Sequence, residues 1–430
     1  MRTSTGLMAS KIVAPRGTQD IFPPQSGRWQ ELEARIHQLA RRYGYGEMRT
    51  PMFEATELFE RGVGDTTDIV EKEMYTFEDK GGRRNTLRPE WTAPVVRAAL
   101  QHNLVQPGVA QRFYYVGPIF RYERPQAGRY RQAHQFGVEC VGFKGPEADV
   151  EVIAMAMHLF RSYGIDVTLN INSIGDAACR GKYREALLEH FRPALEHLSE
   201  DSQRRLERNP LRLLDSKEER DKPFVESAPP FEAYLCDACR DHFEHVKKYL
   251  NQIAIPFVVN PRIVRGLDYY TRTVFEFVSD ALGAQSTVCA GGRYDDLIKS
   301  LGGPDTPSVG FALGEERLLM TIDAAAESQE NERRGIQLVA LGEVARELMV
   351  TMCSLLRYSI DAPVFMDYDD RKLLAQLKIA DRNNARYALV LGSEEISAGN
   401  AVLRDLVERS DRPLPLGKDL VPSLVEVMKS

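Results

Sequence analysis

The first 175 residues switch repeatedly between two hydrophobic periods. Stretches such as "RWQELEARIHQLARRYG" place apolar residues three and four apart, which predicts amphipathic helices. Stretches such as "RFYYVGPIFRYER" are rich in aromatic and β-branched residues, which predicts strands. Strand-like segments return between residues 256 and 315. Because long helical segments interrupt the strands, the pattern favours a mixed, largely antiparallel α+β fold.

Between about 176 and 255 the pattern becomes helical and charged. "CRGKYREALLEHFRPALEHLSEDSQRRLERN" and "CDACRDHFEHVKKYLNQI" both carry apolar residues at helical spacing. We therefore expect a helical module inserted in a first domain that covers residues 1–325.

A polar stretch, "DAAAESQENERRG", precedes a different rhythm. After it, "GIQLVALG", "DAPVFMDY" and "YALVLG" resemble strands with helices between them. Strand–helix–strand repetition is typical of a parallel α/β domain. The pattern predicts a linker at 326–335 and a small α/β domain at 336–430.

The composition is that of a globular protein of two or three domains, because 43% of the 430 residues are apolar and 27% are charged. The first twenty residues hold no apolar run long enough for a signal peptide, and nowhere do eighteen apolar residues follow one another. We therefore expect a cytoplasmic protein without a membrane span. The net charge of −6 gives no global reason to expect nucleic-acid binding.

The six cysteines are scattered through the chain, which is typical of free thiols in a reducing compartment. Cys236 and Cys239 alone have the spacing of metal ligands. A structural zinc site would need two more ligands, and Ser216 stands where a second cysteine pair would be expected to begin. The sequence therefore predicts no tightly bound zinc.

The segment "RGLDYYTRTVFEF", residues 265–277, has high strand propensity and at first suggests the edge of a sheet. It also contains two adjacent tyrosines and four charged residues. The charged residues are Arg265, Asp268, Arg272 and Glu276. So many polar groups in a half-buried strand predict a polar ligand beside it.

Residues 120–142 predict a hairpin, with Pro125 and Gly128 at its turn. The guanidinium group suits bidentate contact with phosphate, because its planar fork matches two oxygens at once. The segment therefore predicts either an anion site or a solvated basic hairpin paired with carboxylates such as Glu123. Four arginines crowd near the tip: Arg121, Arg124, Arg129 and Arg131.

Alternation along the second arm of this hairpin separates two faces. A core-like face holds His134, Phe136, Val138 and Cys140, and the other face holds Ala133, Gln135, Gly137 and Glu139. The small residues of the second face leave room above the strand, with an amide and a carboxylate on its floor. This face favours a ligand pocket over a plain hydrated surface.

Three further segments carry candidate chemistry. In "TLRPEWTAPVVR", Glu90 can hold an ammonium group or cap the start of a helix. "STVCAGGRYDDLI" and "PSVGFALGEERLLM" each run from a strand through glycine into a helix. That geometry lets the backbone approach a ligand or allows tight helix–sheet packing, and neither segment has the spacing of a dinucleotide or Walker loop.

Six segments, in their order and spacing, resemble the histidyl-tRNA synthetases, a family of class II aminoacyl-tRNA synthetases. They are "PRGTQDI", "TLRPE", "FRYERPQAGRYRQAHQFGVE", "RGLDYYTRTVFEF", "AGGRYD" and "VGFALGEERL". The resemblance runs over nearly the whole chain. It implies a catalytic domain built on an antiparallel sheet flanked by helices, a helical insertion and a C-terminal anticodon-binding α/β domain, in a homodimer.

The resemblance implies a site for ATP. Arg121 would contact the α-phosphate and Arg317 the γ-phosphate. Arg129 would lie near the outer phosphates and Glu123 near the adenine. Arg265 would lie beside the reacting carboxylate and the α-phosphate.

It also implies a site for L-histidine. Glu90 and Thr92 would meet the α-amino group. The histidine pocket would also include Arg121, Gln135, Glu139, Arg265, Tyr269, Tyr270 and Tyr294. The implied catalytic set is Arg265, Arg121 and Gln135.

The implied reaction is in-line attack of the histidine carboxylate on the α-phosphorus of ATP, which binds with Mg²⁺. The products are histidyl-adenylate and pyrophosphate, and the histidyl group then passes to the 3′ end of tRNA(His). Neutral imidazole offers one N–H and one bare nitrogen, which Glu139 and a tyrosine hydroxyl can pair. A buried group left unpaired costs roughly 1–3 kcal/mol, so such a site discriminates strongly.

RNA binding would then fall to the C-terminal domain, whose charges nearly balance. In the predicted helix "RKLLAQLKIADR", Arg371, Lys378 and Arg382 form a basic stripe that fits either phosphate contact or a solvated face. The opposite side would hold Leu373, Leu374, Leu377 and Ala380.

Some residues depart from the family pattern, and they concern the shape of the loop near the amino group. They are Trp91, Pro94, Asp296 and Glu315. The main alternative is a regulatory subunit of the histidine-biosynthetic phosphoribosyltransferase, which resembles the catalytic domain but typically lacks the anticodon-binding domain. A sensor of uncharged tRNA and a class II synthetase for another amino acid are further alternatives. The intact "RGLDYYTRT" motif and the C-terminal domain favour the histidine enzyme.

Overall fold

The computed structural model divides the chain into two compact units, Met1–Ala325 and Ala326–Ser430. The described residues are 12–64, 67, 69–106, 108–124, 128–216, 218–263, 267, 269–282, 287–325 and 333–429.

The first unit combines eleven described strands with ten described helices. The strands are β1 (Gly46–Glu47), β2 (Phe53–Ala55), β3 (Tyr75–Glu78), β4 (Arg84–Leu87), β5 (Gln111–Phe120), β6 (Gln132–Val141), β7 (Thr168–Ser173), β8 (Val258–Val259), β9 (Thr271–Val278), β10 (Thr287–Arg293) and β11 (Ser308–Gly314). The helices are α1 (Gln25–Arg42), α2 (Thr56–Gly62), α3 (Thr92–Gln101), α4 (Pro146–Ser162), α5 (Ala177–Phe191), α6 (Glu200–Arg208), α7 (Lys222–Glu226), α8 (Asp237–Gln252), α9 (Leu297–Ser300) and α10 (Glu315–Ala325).

An eight-stranded sheet organises this unit, in the order β1-β5-β6-β11-β10-β9-β7-β8. The six inner strands pair antiparallel, and the short outer strands β1 and β8 pair parallel. A separate three-stranded sheet has the order β2-β4-β3. The predicted α+β fold with a largely antiparallel sheet is confirmed.

The strand β9, from "RGLDYYTRTVFEF", lies inside the large sheet with β10 on one side and β7 on the other. The first suggestion of a sheet edge was therefore wrong. Polar side chains in this strand do not mark an edge, since Thr271 and Thr273 are buried. Tyr269 and Tyr270, directly before the strand, line the cavity described below.

The alternation predicted for β6 is present. Phe136, Val138 and Cys140 are fully buried and belong to the main apolar core, which α4 also enters. The opposite face of the strand carries Gln135 and Glu139 toward a cavity. One strand thus supplies both the core and the polar floor of the cavity, because successive side chains point to opposite faces.

The segment predicted as a helical insertion is helical, from α5 to α8 with short 3₁₀ turns between them. Its last helix, α8, packs Phe243, Val246 and Leu250 into the same core as α4. The helical segment is therefore joined to the main body through an apolar contact at its C-terminal end.

The second unit has five described strands and four described helices. The strands are β12 (Ile336–Ala340), β13 (Val364–Met366), β14 (Tyr387–Leu391), β15 (Asn400–Asp405) and β16 (Ser410–Pro415). The helices are α11 (Glu343–Ser359), α12 (Leu373–Arg382), α13 (Ser393–Ala398) and α14 (Leu420–Lys429). The sheet order is β13-β12-β14-β15-β16. The three parallel strands match the predicted α/β rhythm, and an antiparallel hairpin, β15–β16, extends the sheet.

The predicted basic stripe was partly wrong. Arg371 precedes α12 and pairs with Asp367 and Asp369, at 3.0 and 2.6 Å. It does not share a helical stripe, since the helix begins at Leu373. Lys378 and Arg382 are exposed on α12 as predicted.

The predicted apolar side of α12 also needs a correction. Leu374 is 74% exposed, whereas Leu373 and Leu377 are half-buried and Ala380 is buried. Gln376 takes the buried position instead, because its amide exchanges hydrogen bonds with the backbone of Ala340 in β12.

Candidate active site

The predicted site residues of the first unit meet in one cavity of about 460 Å³. They come from the start of α3, the hairpin β5–β6, the segment before β9, the end of β10 and the start of α10. The residues that line it are Glu90, Thr92, Arg121, Glu123, Arg129, Gln135, Glu139, Tyr269, Tyr270, Tyr294 and Arg317. Arg265 lies outside the described residues.

Glu139 forms the buried floor at one end of the cavity. Thr92 Oγ1 and Tyr115 OH donate to its Oε1 at 2.8 and 3.3 Å, and Tyr294 OH donates to its Oε2. Burial raises the pKa of Glu139 from 4.5 to about 8, although the hydrogen bonds from Tyr294 and Thr92 act in the opposite direction. A carboxylate has about four lone-pair positions, so this group can accept from a ligand as well.

Glycines make room for this floor. A Cβ on Gly310 would lie 2.2 Å from Glu139 Oε2, and a Cβ on Gly137 would lie 2.2 Å from Tyr115 OH. Only glycine leaves the space that these polar groups occupy. Gly310 and Gly137 thus let polar side chains of the cavity wall lie close to the backbone of the neighbouring strands.

Tyrosine rings form the wall beside Glu139. The Tyr269 ring lies 4.8 Å from that of Tyr270 and 5.6 Å from that of Tyr294, measured between centroids. Burial raises the pKa values of Tyr269 and Tyr294 well above the ordinary phenol value. Both phenols therefore remain protonated and can act as hydrogen-bond donors at neutral pH.

Glu90 uses its carboxylate to cap α3. Its Oε2 accepts from the Thr92 N–H at 2.7 Å, and its Oε1 accepts from the Ala93 N–H at 2.9 Å. The capping function considered from the sequence is therefore present. Because Glu90 also lines the cavity, its remaining lone pairs face any ligand that binds there.

Gln135 presents a polar group to the cavity. Its Oε1 is buried and has no hydrogen-bond partner among the described residues. Buried polar atoms in folded proteins are nearly always paired, so an orphaned acceptor in a cavity indicates a ligand donor.

The other end of the cavity is cationic. Arg121 donates from Nε to the carbonyl of Pro89 at 2.7 Å, and its Nη1 lies 3.7 Å from Glu123. Arg129 lies 3.5 Å from the same carboxylate. Arg317 donates to the Thr287 carbonyl at 2.6 Å, and burial together with the nearby Arg129 lowers its pKa. Arg121 and Arg129 share the Glu123 carboxylate, and Arg317 adds a third guanidinium to this end of the cavity, which suits an anionic ligand.

Sequence reasoning missed several residues of this cavity. Tyr115 lies opposite Gly137 in the β5–β6 ladder, so it shares the pocket face of β6. The hairpin register would have been the signal for it. Arg205 and Arg212 reach the cavity from the helical segment. No local pattern marks those two, because their position depends on how that segment packs.

His134 lies on the core face of β6 as predicted, since its ring packs edge-on against the buried Trp29 with 4.9 Å between centroids. Its backbone N–H donates to Glu316 at 3.0 Å, and its Nδ1 lies 2.9 Å from Glu316 Oε1. Both residues line the cavity next to Arg317. The pair holds the start of α10 against β6.

No described helix is both long and apolar enough to cross a bilayer.

Comparisons with known proteins agree with this geometry. A family model described as histidyl-tRNA synthetase matches residues 17–318. A histidine–tRNA ligase of Geobacillus thermodenitrificans is 50% identical over 96% of this chain and 98% of its own length. The crystal structure of apo Staphylococcus aureus histidyl-tRNA synthetase superposes with a TM-score of 0.81 at 37% identity, and the match covers 98% of this chain and 100% of that one.

The fold is that of a class II aminoacyl-tRNA synthetase, an enzyme class. Within that class, the chain belongs to the histidyl-tRNA synthetase family.

The regulatory-subunit alternative has a structural counterpart. A structure from Bacillus halodurans C, described as an ATP phosphoribosyltransferase regulatory subunit/histidyl-tRNA synthetase, superposes with a TM-score of 0.62 at 20% identity. It covers 87% of this chain and 97% of its own. At that identity the likeness concerns the fold alone.

Proposed function

We propose that the cavity is where this histidine–tRNA ligase activates L-histidine with ATP. The products are histidyl-adenylate and pyrophosphate, and the histidyl group is then transferred to the 3′ end of tRNA(His). The observation that carries the proposal is the placement of a buried acid among phenols at one end of a cavity and of three arginines at the other.

The imidazole binds at the Glu139 end. Glu139 accepts from one ring nitrogen, and a phenol of the wall, Tyr269 or Tyr270, pairs the other. An apolar amino acid would leave these buried groups unpaired at roughly 1–3 kcal/mol each, which accounts for selectivity. The α-amino group meets Glu90 and Thr92, and the orphaned Oε1 of Gln135 supports a further donor contact from the substrate.

The triphosphate binds at the cationic end. Arg121 contacts the α-phosphate, Arg129 the outer phosphates and Arg317 the γ-phosphate, with Glu123 toward the adenine. Arg129 and Arg317 lie close enough for one guanidinium to lower the pKa of the other, and phosphate oxygens between them relieve that repulsion.

The chain contributes positioning and positive charge rather than a covalent nucleophile. The histidine carboxylate attacks the α-phosphorus in line, and the pyrophosphate leaves toward Arg129 and Arg317. Mg²⁺ enters with ATP as part of the substrate and adds positive charge at the phosphate oxygens. Arg265, outside the described residues, is assigned the space between the carboxylate and the α-phosphate from the family motif.

The second unit, after a linker at 326–335, is assigned the anticodon end of the tRNA. Lys378 and Arg382 are exposed four residues apart on α12, a spacing that suits adjacent phosphates. Arg371 is a weaker candidate than the sequence suggested, because two aspartates already neutralise it.

We also propose a homodimer in the cytoplasm. Phe53 and Phe77, 52% and 43% exposed with ring centroids 6.0 Å apart, form an apolar patch on the small sheet that suits a subunit contact. Light scattering would report twice the mass of one chain. All six cysteines are free, which fits a reducing compartment.

The test is ATP–pyrophosphate exchange with each amino acid in turn. We expect exchange with L-histidine at a rate at least 100-fold above that with any other amino acid. No exchange with any amino acid would favour a regulatory subunit or a tRNA sensor, and exchange with a different amino acid would reassign the pocket.

A further inference from the structure

Four metal-ligating side chains meet outside the active-site cavity. The ligand atoms of Asp176, Cys179, Cys236 and Cys239 all lie within 4.8 Å of one another. In a tetrahedral zinc site with Zn–S bonds of about 2.3 Å, the sulfurs lie about 3.8 Å apart. The four ligand atoms would therefore have to move by about 1 Å or less to bind one ion. The fold thus adds two ligands to the Cys236–Cys239 pair, and these are the two that the sequence alone did not offer.

The cluster has the hydrogen bonds that a thiolate site needs. The Cys236 N–H donates to Cys179 Sγ at 3.1 Å, and the Cys179 N–H donates to Asp176 Oδ1 at 3.0 Å. Cys236 Sγ lies 3.7 Å from Asp176 Oδ2. Backbone N–H donors such as those of Cys236 and Cys179 orient metal ligands and offset their negative charge, and the short distance from Cys236 Sγ to Asp176 shows that these two ligands already lie together.

The two pairs of ligands come from the two ends of the helical segment. Asp176 caps α5 and Cys179 lies in its first turn, while Cys236 precedes α8 and Cys239 lies in its first turn. Both ligand pairs therefore sit at the positive ends of helix dipoles, which favour anionic thiolates and carboxylate. Cys179 and Cys239 are buried, and Asp176 and Cys236 are half-buried, so an ion can enter from one side.

We propose that Asp176, Cys179, Cys236 and Cys239 bind one structural zinc ion. Each thiol loses its proton to solvent as it binds the metal. A zinc site with four protein ligands has no open position for catalysis, so its function is to fasten the start of α5 to the start of α8.

This site is connected to the active-site cavity through α5. Arg180, which follows Cys179, donates from Nη1 to the carbonyl of Tyr270 at 3.0 Å. The Arg272 N–H, at the start of β9, donates to the Gly175 carbonyl at 2.7 Å. The ion therefore holds in place the turn that supports the tyrosine wall of the cavity, without contacting a substrate.

The test measures metal bound to the full chain, purified in reducing buffer without a metal-affinity step. Elemental mass spectrometry should find about one zinc per chain. Exchange with Co²⁺ should give thiolate-to-cobalt charge transfer and the visible bands of tetrahedral cobalt. The Cys179→Ser/Cys236→Ser variant should lose the zinc, whereas Cys353→Ala, a buried cysteine in the second unit, should keep it.

A second variant covers the case in which the double variant does not fold. Asp176→Asn keeps a side chain that can cap α5 but removes one charged ligand, so zinc should bind at least tenfold more weakly, measured by competition with a chelator. Three results would overturn the proposal: a reduced wild-type chain that takes up neither zinc nor cobalt, metal that persists in the double variant, or a thiol count showing a disulfide within the cluster.

Discussion

Glu139 is the central residue of the proposed imidazole site, and its burial has an energetic cost. It is 1% exposed and accepts from three hydroxyls, yet burial still raises its pKa to about 8. A donor from a bound imidazole would favour the ionised form of Glu139, because a hydrogen bond to a charged group is worth about 1.5–3 kcal/mol. The same side chain therefore links ligand binding to protonation.

Replacing Glu139 by glutamine tests its proposed contact with the imidazole. With Glu139→Gln we expect kcat/KM for histidine in pyrophosphate exchange to fall about 10- to 100-fold, because an amide cannot ionise and so cannot become the charged acceptor that a bound imidazole N–H would stabilise. Glu151→Gln, which alters the ion pair with Arg112 outside the cavity, should leave exchange unchanged. Wild-type exchange by Glu139→Gln would contradict the proposed imidazole contact.

The same substitution makes a prediction about pH. Between pH 4.5 and about 8 the folded chain holds a proton on Glu139 that the unfolded chain has released. The free energy of unfolding of the wild type should therefore fall with rising pH relative to Glu139→Gln, by up to about 1.4 kcal/mol per pH unit, and level off above pH 8. Denaturant unfolding at pH 5, 6.5 and 8 measures this, and a constant difference would show that Glu139 is ionised throughout.

At the scale of elements, two buried acids beside the sheet differ in whether they are paired. Arg293 of β10 and Asp149 of α4 are fully buried and paired, and Arg293 also donates to the carbonyls of Phe143 and Gly145. His242 of α8 adds a contact to the same carboxylate at 3.3 Å. This network is satisfied, and it joins α4, α8 and β10 at one point.

Glu315 at the start of α10 is the opposite case. It is 0% exposed, and neither carboxyl oxygen has a hydrogen-bond partner among the described residues. Burial, together with Glu33 and Glu316, raises its pKa well above 4.5. A buried acid of this kind destabilises the fold at any pH where the unfolded chain would ionise it.

Glu315→Met should therefore stabilise the chain. We expect a gain of about 1–3 kcal/mol at pH 8, because an orphaned buried carboxyl is replaced by an apolar side chain of similar length. The gain should shrink toward pH 4.5, where the unfolded chain no longer gains by ionising the glutamate. Thermal unfolding at both pH values measures it, with Glu207→Met as the same change at an exposed helical position. A loss of stability at pH 8 would mean that Glu315 has a partner.

At the scale of the whole molecule, the chain consists of two compact units. The first unit holds the cavity, and the second offers an α/β surface with nearly balanced charge. With no excess of positive charge, the proposed RNA affinity of the second unit has to come from a few individual cations.

Lys378→Ala/Arg382→Ala should weaken tRNA binding and leave histidine-dependent pyrophosphate exchange unchanged. We assume that each side chain contacts one phosphate of a single-stranded anticodon loop. The slope of the logarithm of the tRNA association constant against the logarithm of salt concentration should then fall by about 1.4 in magnitude. Filter binding at several salt concentrations measures this. Arg371→Ala is the matched control and should change little, since Asp367 and Asp369 already pair with it. Equal losses in both variants would indicate a diffuse field rather than two contacts.

The sequence by itself determined the features that depend on local geometry. The alternation in β6 gave the core face and the polar floor, because strand side chains point alternately to the two faces. The predicted hairpin placed Arg121 and Arg129 near one another, because a turn brings its two strands together. The polar stretch at residues 323–335 predicted a domain boundary. The resemblance supplied the roles of the motif residues, and eleven of those residues line one cavity.

Tertiary structure alone decided which distant residues meet. It buried Gln376 and exposed Leu374 on α12, it brought Arg205 and Arg212 to the cavity, and it placed Asp176 and Cys179 beside a cysteine pair about 60 residues further along. Periodicity reports which face of an element is apolar but not which element covers that face. Contacts across the chain depend on packing, so the sequence pattern could not reveal them.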